Sequence, residues 1–421
     1  MGPAYRHFYE RPLYLVRGEG VWLYDDSGER YLDCYNNVPS VGHCHPHVVE
    51  ALTRQASTLN THTRYLHHNI IEYAEMLADT LPGNLSVCTL VCTGTEANDL
   101  AYRIARAVTG NDGAIYTENA YHGNSTLVHE LSPEFRRKRA APDFVVGVEP
   151  PYTYRGPIGE DHPDVAGAYA DLVDEAIATL DERGKAPAMM IIDSIYDAKG
   201  VLTPAPEYQQ AVHRKVRAAG GLIVCDEVQS GLTRLGDNYW GFMDSHVVPD
   251  IVTMGKPMGD GHPLAVVVTT PEIAAEFAKE SQYFNTFGGN PVSAAVGKAV
   301  LEVVERENIL EKVKTTGDYI IAGLQRLADR HSLIGEIRGK GLFIAVELVR
   351  DRASKEPATE ETARILELMR ETGVLIARIG QFANVLKIRP PLVFEPEHAD
   401  LLLAALDESL GLAVQTAPTS R

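Results

Sequence analysis

The chain is poor in cysteine, tryptophan and positive charge. Its 421 residues include five cysteines and two tryptophans, and 39 Lys and Arg stand against 57 Asp and Glu, a formal net charge of −18. Cys34, Cys44, Cys88, Cys92 and Cys225 are odd in number and include no Cys-x-x-Cys pair. That excludes a disulfide framework as the organising device and fits a reducing, cytoplasmic setting. The acidic balance excludes nucleic acid and anionic membrane as main partners, but not a small anion held in a local site. No apolar run approaches the roughly 18 residues that span a bilayer. The opening Met1-Gly-Pro-Ala-Tyr-Arg6 lacks a basic-then-apolar signal pattern, and Arg6 breaks the myristoylation motif. Internal repeats and low-complexity blocks are also missing.

What is present is ordinary for a globular enzyme: 45% apolar and 23% charged residues. The length suits more than one domain and a large core. Asp25-Asp-Ser-Gly28 between alternating apolar runs predicts a hairpin near the start. From Val48 on, helical patterns alternate with short apolar runs at 87–92, 114–117, 189–193, 222–226, 251–254 and 265–269. Glu96–Val108 reads as a helix with Ala97, Leu100, Ala101, Ile104, Ala105 and Val108 on one face. Buried strands separated by helices predict an open, mostly parallel α/β sheet. A strand pair is expected around 341–348 and 385–388. Residues 1–45 and 300–421 read as a smaller α/β domain, with 46–299 the large one.

Three segments carry chemistry. Cys92-Thr-Gly-Thr-Glu-Ala-Asn-Asp99 lies between a strand and a helix, where backbone amides and the helix dipole favour a phosphate; a plain helix cap by Thr95 would look the same. Leu222-Ile-Val-Cys-Asp226-Glu ends an apolar strand in an acidic pair, at the edge where open sheets bind ligands. Asp226 there could hold a proton on a ring nitrogen, bind a metal, or cap a turn. Lys256, in Met254-Gly-Lys-Pro-Met-Gly259, follows another apolar strand. Dry surroundings lower a lysine pKa and make it a base or Schiff-base nucleophile; a snorkelling lysine at a turn is the bland alternative.

A phosphate cup, a carboxylate for a pyridine nitrogen and a lysine for an aldehyde are the three handles of pyridoxal phosphate. Nearly end to end, the pattern resembles the class III aminotransferases of the fold type I pyridoxal-phosphate enzymes. The resemblance implies an α/β fold with a mostly parallel seven-stranded-type sheet between helices. It implies pyridoxal 5′-phosphate held by Gly94 and Thr95 at its phosphate, Tyr121 and Val228 at its ring faces, neighbouring His122, Asp226 at the ring nitrogen, Gln229 near the ring hydroxyl, and Lys256 covalently. It also implies a homodimer with shared sites, in which Thr286 reaches the neighbouring subunit's cofactor.

The same resemblance bears on the reaction. Lys387 stands where the family places a carboxylate-binding arginine, with Arg389 two residues on, and Ala198 stands where a glutamate partner is expected. Gly42-His-Cys-His-Pro46, Leu59-Asn-Thr-His-Thr-Arg-Tyr-Leu-His67 and the Asn-Val-Leu-Lys run ending at Lys387 look like the family's phospho-lyase subgroup. The chain departs from that subgroup at Cys92-Thr and through 193–200. The expectation is elimination of phosphate from O-phosphoethanolamine, giving acetaldehyde, ammonia and phosphate. The alternatives are an ω-type transamination of small amines or amino acids, and elimination from 5-phosphohydroxylysine. Arg64, Lys387, Arg389, His43 and Asn37 are the candidates for holding the substrate phosphate. The run Gly42-His-Cys-His-Pro-His47 lacks zinc-site spacing, so no metal is expected, and Glu160–Asp164 reads as a solvated loop.

Overall fold

A computed structural model describes residues 2, 4–5, 7–135 and 140–415. Its central sheet has seven strands in the order Val87–Val91, Ala265–Thr269, Ile251–Met254, Leu222–Asp226, Pro187–Asp193, Gly113–Thr117, Val145–Val148. From Ile251–Met254 to Val145–Val148 every neighbouring pair is parallel. Ala265–Thr269 runs antiparallel to both its neighbours. Six of these strands lie where the apolar runs predict them. Val145–Val148, a four-residue strand containing Gly147, does not stand out in the sequence. Its place is set by parallel pairing, from Ala114↔Val145 to Thr117↔Val148.

Register decides what meets at the carboxyl edge of this sheet. Asp193 lies beside Asp226, and Asp226 beside Thr253. The helix Gly94–Thr109 starts two residues earlier than its apolar pattern suggests, because Thr93 caps it. The Thr93 hydroxyl accepts from the Glu96 amide, and the Glu96 carboxylate accepts from the Thr93 amide. Its expected face is buried at Ala97, Leu100, Ala101, Ile104 and Ala105, and Gly110, at φ 70°, ends it in the left-handed region.

Both chain ends contribute to the smaller sheets. Trp22–Asp25 and Arg30–Asp33 form the expected hairpin, and Arg30–Asp33 pairs in parallel with Val374–Leu375. A second sheet joins Ile334–Lys340, Phe343–Asp351, Val385–Ile388 and Ala377–Ile379. Its register sets Ala345 beside Lys387 and Glu347 beside Val385. Phe343, Ala345 and Glu347 therefore share one face with Lys387. Among the described residues no helix is long and apolar enough to cross a membrane.

One buried group carries a stability consequence. His213, on the helix Pro206–Ala218, is 3% exposed, and neither ring nitrogen has a partner. Burial, reinforced by Arg217, pushes its pKa from 6.5 down to about 3. Below pH 6.5 the unfolded chain takes up a proton that the folded chain refuses. Folding stability should therefore fall by about 1.4 kcal/mol per pH unit from this residue between pH 6 and 4. Denaturant titrations across that range should show a shallower acid slope in His213→Leu than in the parent chain.

Candidate active site

The cleft at the carboxyl edge is lined by Thr93, Gly94, Thr95, Tyr121, His122, Gly123, Asp193, Asp226, Val228, Gln229 and Lys256. Sequence reasoning had singled out eight of these. Asp226 is buried and saturated on three sides. One carboxylate oxygen accepts from His122 Nδ1 at 2.7 Å and Asn98 Nδ2 at 2.9 Å; the other accepts from the Val228 amide at 3.1 Å. Thr253 donates to Asn98 Oδ1 at 2.6 Å, fixing that amide's orientation. A carboxylate has about four acceptor positions, so one remains for a donor in the cleft. Its neighbour Glu227 turns into the interior, where Ser194, Ser230 and the amides of Gly241 and Phe242 all donate to it. The acidic pair thus divides into one group for the site and one for the core.

Lys256 opens the short turn Lys256–Gly259 directly after the strand Ile251–Met254. Burial, and then the nearby Arg389, lower its pKa, against the opposing pull of Asp226, Asp197 and Asp193. A lowered amine is able to act as nucleophile and base near neutrality. Asp193 is pushed up to about 8 by burial and by the negative Asp197 and Asp226. It therefore enters the cleft as a neutral acid at pH 7.

Gly94 and Thr95, the residues expected at the cofactor phosphate, open the helix Gly94–Thr109. Thr93 takes the cap, so the alternative in which Thr95 serves only as the helix cap does not apply. Cys92 and Thr93 give their amides to Glu96, while those of Gly94 and Thr95 stand at the open end of the helix. A Cβ on Gly94 would lie 3.0 Å from Val228, and one on Gly123 would lie 2.6 Å from the Thr95 hydroxyl. Only glycine leaves this cradle open. Pyridoxal 5′-phosphate fits the residues present. Gly94, Thr95 and the helix end would hold its phosphate, Asp226 its ring nitrogen and Lys256 its aldehyde.

The candidates for substrate phosphate separate. His43 is committed to Asp33, which its Nε2 meets at 2.7 Å, and its side chain lies against Gly18; none of the five candidates lines the cleft around Lys256. Arg64 lies elsewhere on this chain, exposed, with its guanidinium 4.1 Å from the Phe284 ring centroid. Thr286, two residues from Phe284, is exposed and also outside the cleft. Asn37 and Arg389 both donate to Gln229 Oε1, so Gln229 is tied to the wall. Lys387 lies 2.6 Å from Asp197, with Arg389 3.8 Å from the same carboxylate. Asp197, Asn98 and Asp193, absent from the residues expected from sequence, are tied to this region: Asp197 pairs with Lys387, Asn98 bonds Asp226 and Asp193 lines the cleft. The one available signal was the pair of charged residues, Asp197 and Lys199, in the 193–200 segment where the chain departs from its subgroup.

A model described as aminotransferase class-III matches residues 5–410, and the chain belongs to that family. Its cofactor is accordingly pyridoxal 5′-phosphate. The chain is 41% identical to a Drosophila melanogaster protein named alanine–glyoxylate aminotransferase 2-like, over 99% of this chain and 86% of that one. It is 38% identical to ethanolamine-phosphate phospho-lyase homolog 1 of Caenorhabditis elegans, over 98% and 91%. A phospholyase from Arthrobacter, solved in complex with phosphoethanolamine, superposes with a TM-score of 0.94 at 44% identity, covering 99% of this chain and 98% of that one.

The Asn98 amide is the test of how Asp226 is held. Asn98→Ala removes one charge-assisted bond, worth about 1.5–3 kcal/mol. It should weaken cofactor retention about tenfold or more, measured by equilibrium dialysis against free pyridoxal phosphate.

Proposed function

We propose that the enzyme is a phospho-lyase that eliminates phosphate from a small phosphorylated amine, with O-phosphoethanolamine as its substrate. The carrying observation is the buried pair of Lys387 with Asp197. The cation that would receive a substrate carboxylate already holds one from its own chain. A substrate without a carboxylate needs no such partner. The ligand in the Arthrobacter neighbour supports the same reading.

In this reading the bound cofactor supplies an electron sink conjugated to the substrate nitrogen. Asp226 keeps the ring nitrogen protonated, and His122 and Asn98 keep Asp226 aimed. The Lys256 amine would be the base that removes a proton from the substrate carbon bearing nitrogen. The carbon–oxygen bond on the adjacent carbon then breaks, and phosphate leaves with its bonding electrons. Water completes the balance: O-phosphoethanolamine and water give acetaldehyde, ammonia and phosphate. Arg389 supplies the fixed cation beside the cleft, with Lys387 behind it. Arg64 acts from the neighbouring subunit. It shares an exposed surface with Thr286, so a homodimer that brings Thr286 to the second cofactor phosphate brings Arg64 as well. Exposed Tyr65, Leu66 and Phe287 on that surface suit such burial.

Transamination is the second reading, favoured by the name of the Drosophila relative. The two differ in products. Incubation with O-phosphoethanolamine should release phosphate and acetaldehyde in equal amounts. No release above a Lys256→Ala control would sink the lyase reading. Accumulation of pyridoxamine phosphate with an amine donor would establish the transaminase.

A pH signature follows from Lys387, whose pKa is lowered to about 8 by burial and by Arg389. Below that pH the ammonium neutralises Asp197; above it that cation is lost and the Asp197 carboxylate is left to repel an anionic substrate. KM for O-phosphoethanolamine should rise as pH passes about 8. Steady-state kinetics on Lys387→Arg, which stays charged, should remove that inflection.

A further inference from the structure

The turn Asp197–Gly200 is held in a strained shape between two residues in the left-handed region. Tyr196 has φ 50° and Val201 φ 61°, and both are buried. A β-branched residue adopts that conformation only where its surroundings enforce it. The enforcing contacts come from both sides. On the sheet side, Asp193 accepts from the amides of Ile195 and Asp197 at 3.2 and 2.8 Å. Also on that side, Lys199 donates to Glu149 at 2.7 Å and to Asn119 at 3.3 Å, both just beyond strands of the central sheet, while the smaller sheet supplies Arg338. Arg338 donates from Nε to the Gly200 carbonyl at 3.1 Å. A Cβ on Gly200, at φ 135°, would sit 3.0 Å from Arg338 Nη2. Arg338 is in turn fixed by Glu336 and by Glu347, a fully buried carboxylate that also binds Tyr152 and Arg155.

Neither Lys199 nor Arg338 lines the cleft around Lys256. What they fix is the direction of Asp197. A carboxylate on a loose loop would give up its cation when a ligand brought a carboxylate of its own. The backbone that carries this one cannot shift without breaking the Lys199 and Arg338 contacts on the same four-residue turn. We propose that Lys199 and Arg338 are positioning residues for substrate specificity: they lock Asp197 onto Lys387 and so exclude ligands that carry an α-carboxylate. The inference rests on the reading of the cleft as a site for carboxylate-free phosphorylated amines.

The test uses two ligands that differ by one carboxylate and contain no cleavable phosphate ester: 2-aminoethylphosphonate and 2-amino-3-phosphonopropionate. Calorimetry on the holoenzyme gives the preference for the first over the second. Lys199→Met and Arg338→Met should each reduce that preference about tenfold, with affinity for 2-aminoethylphosphonate held within about twofold. Lys199→Arg should restore it. Circular dichroism identifies any variant that fails to fold, and Lys199→Met carries the test if Arg338→Met does. An unchanged preference in the folded variants overturns the proposal, as does a parent enzyme with no preference. If Asp197→Asn shifts the preference but the two clamp variants do not, the clamp falls and the reading of the cleft stands. If the parent enzyme releases no phosphate from O-phosphoethanolamine, the functional reading falls while the binding ratio still scores the clamp.

Discussion

Burying many charges in one place governs the carboxyl edge of the central sheet. Register brings Asp193 and Asp226 side by side, and Glu227 and Asp197 follow within one and four residues of those strand ends. Carboxylates that close and that dry cannot all be ionised without partners. Each is resolved differently. Glu227 is wrapped by four donors from Ser194, Ser230, Gly241 and Phe242. Asp226 takes three donors and keeps one acceptor position for the cofactor. Asp197 is neutralised by Lys387. Asp193, left without a cation, retains its proton to about pH 8. One physical problem with four solutions produces four roles, and only one of the acids is free to meet the cofactor.

The same crowding prepares Lys256. A lone buried lysine among acids would be held as ammonium and would be a poor nucleophile. Here Asp197 is spent on Lys387, Asp226 on His122 and Asn98, and Asp193 is neutral. Arg389 adds a repelling charge. The balance tips toward the free amine because burial, with Arg389, outweighs the opposing pull of the three carboxylates. The network around Asp226 fixes the carboxylate in the cleft, where it would meet the ring nitrogen of the cofactor.

Local pattern carried the fold a long way. Six strands of the central sheet are apolar runs that could hardly be anything else, and the residues around Gly94, Asp226 and Lys256 announce a cofactor by their placement at strand ends. Val145–Val148 escaped notice because a four-residue strand with a glycine has no signal beyond its pairing partner. The substrate side was harder still. His43 looked like an anion ligand in a histidine-rich run, yet its position under Gly18 commits it to Asp33. Lys387 was visible as a cation, but its partner Asp197 lies 190 residues away. No local pattern marks such a pair. It exists because strand Val385–Ile388 of one sheet faces the turn that leaves Pro187–Asp193 of another.

That long-range pair would also reconcile the acidic molecule with the proposed phosphate-bearing substrate. A cleft that simply accumulated arginines would attract phosphates and carboxylates alike, since each offers a guanidinium fork two adjacent anionic oxygens. Neutralising Lys387 internally leaves Arg389 as the dominant charge facing Lys256 from this chain, held in place by Gln229 and the Tyr35 carbonyl. A single fixed cation favours the more highly charged anion. It is also worth more to a departing phosphate, whose charge grows as the carbon–oxygen bond breaks, than to a carboxylate, whose charge does not change during the reaction. In the proposed lyase reaction, internal pairing would serve catalysis as well as selection: it would remove an interaction that binds ground states indiscriminately and keep the one that strengthens along the elimination coordinate.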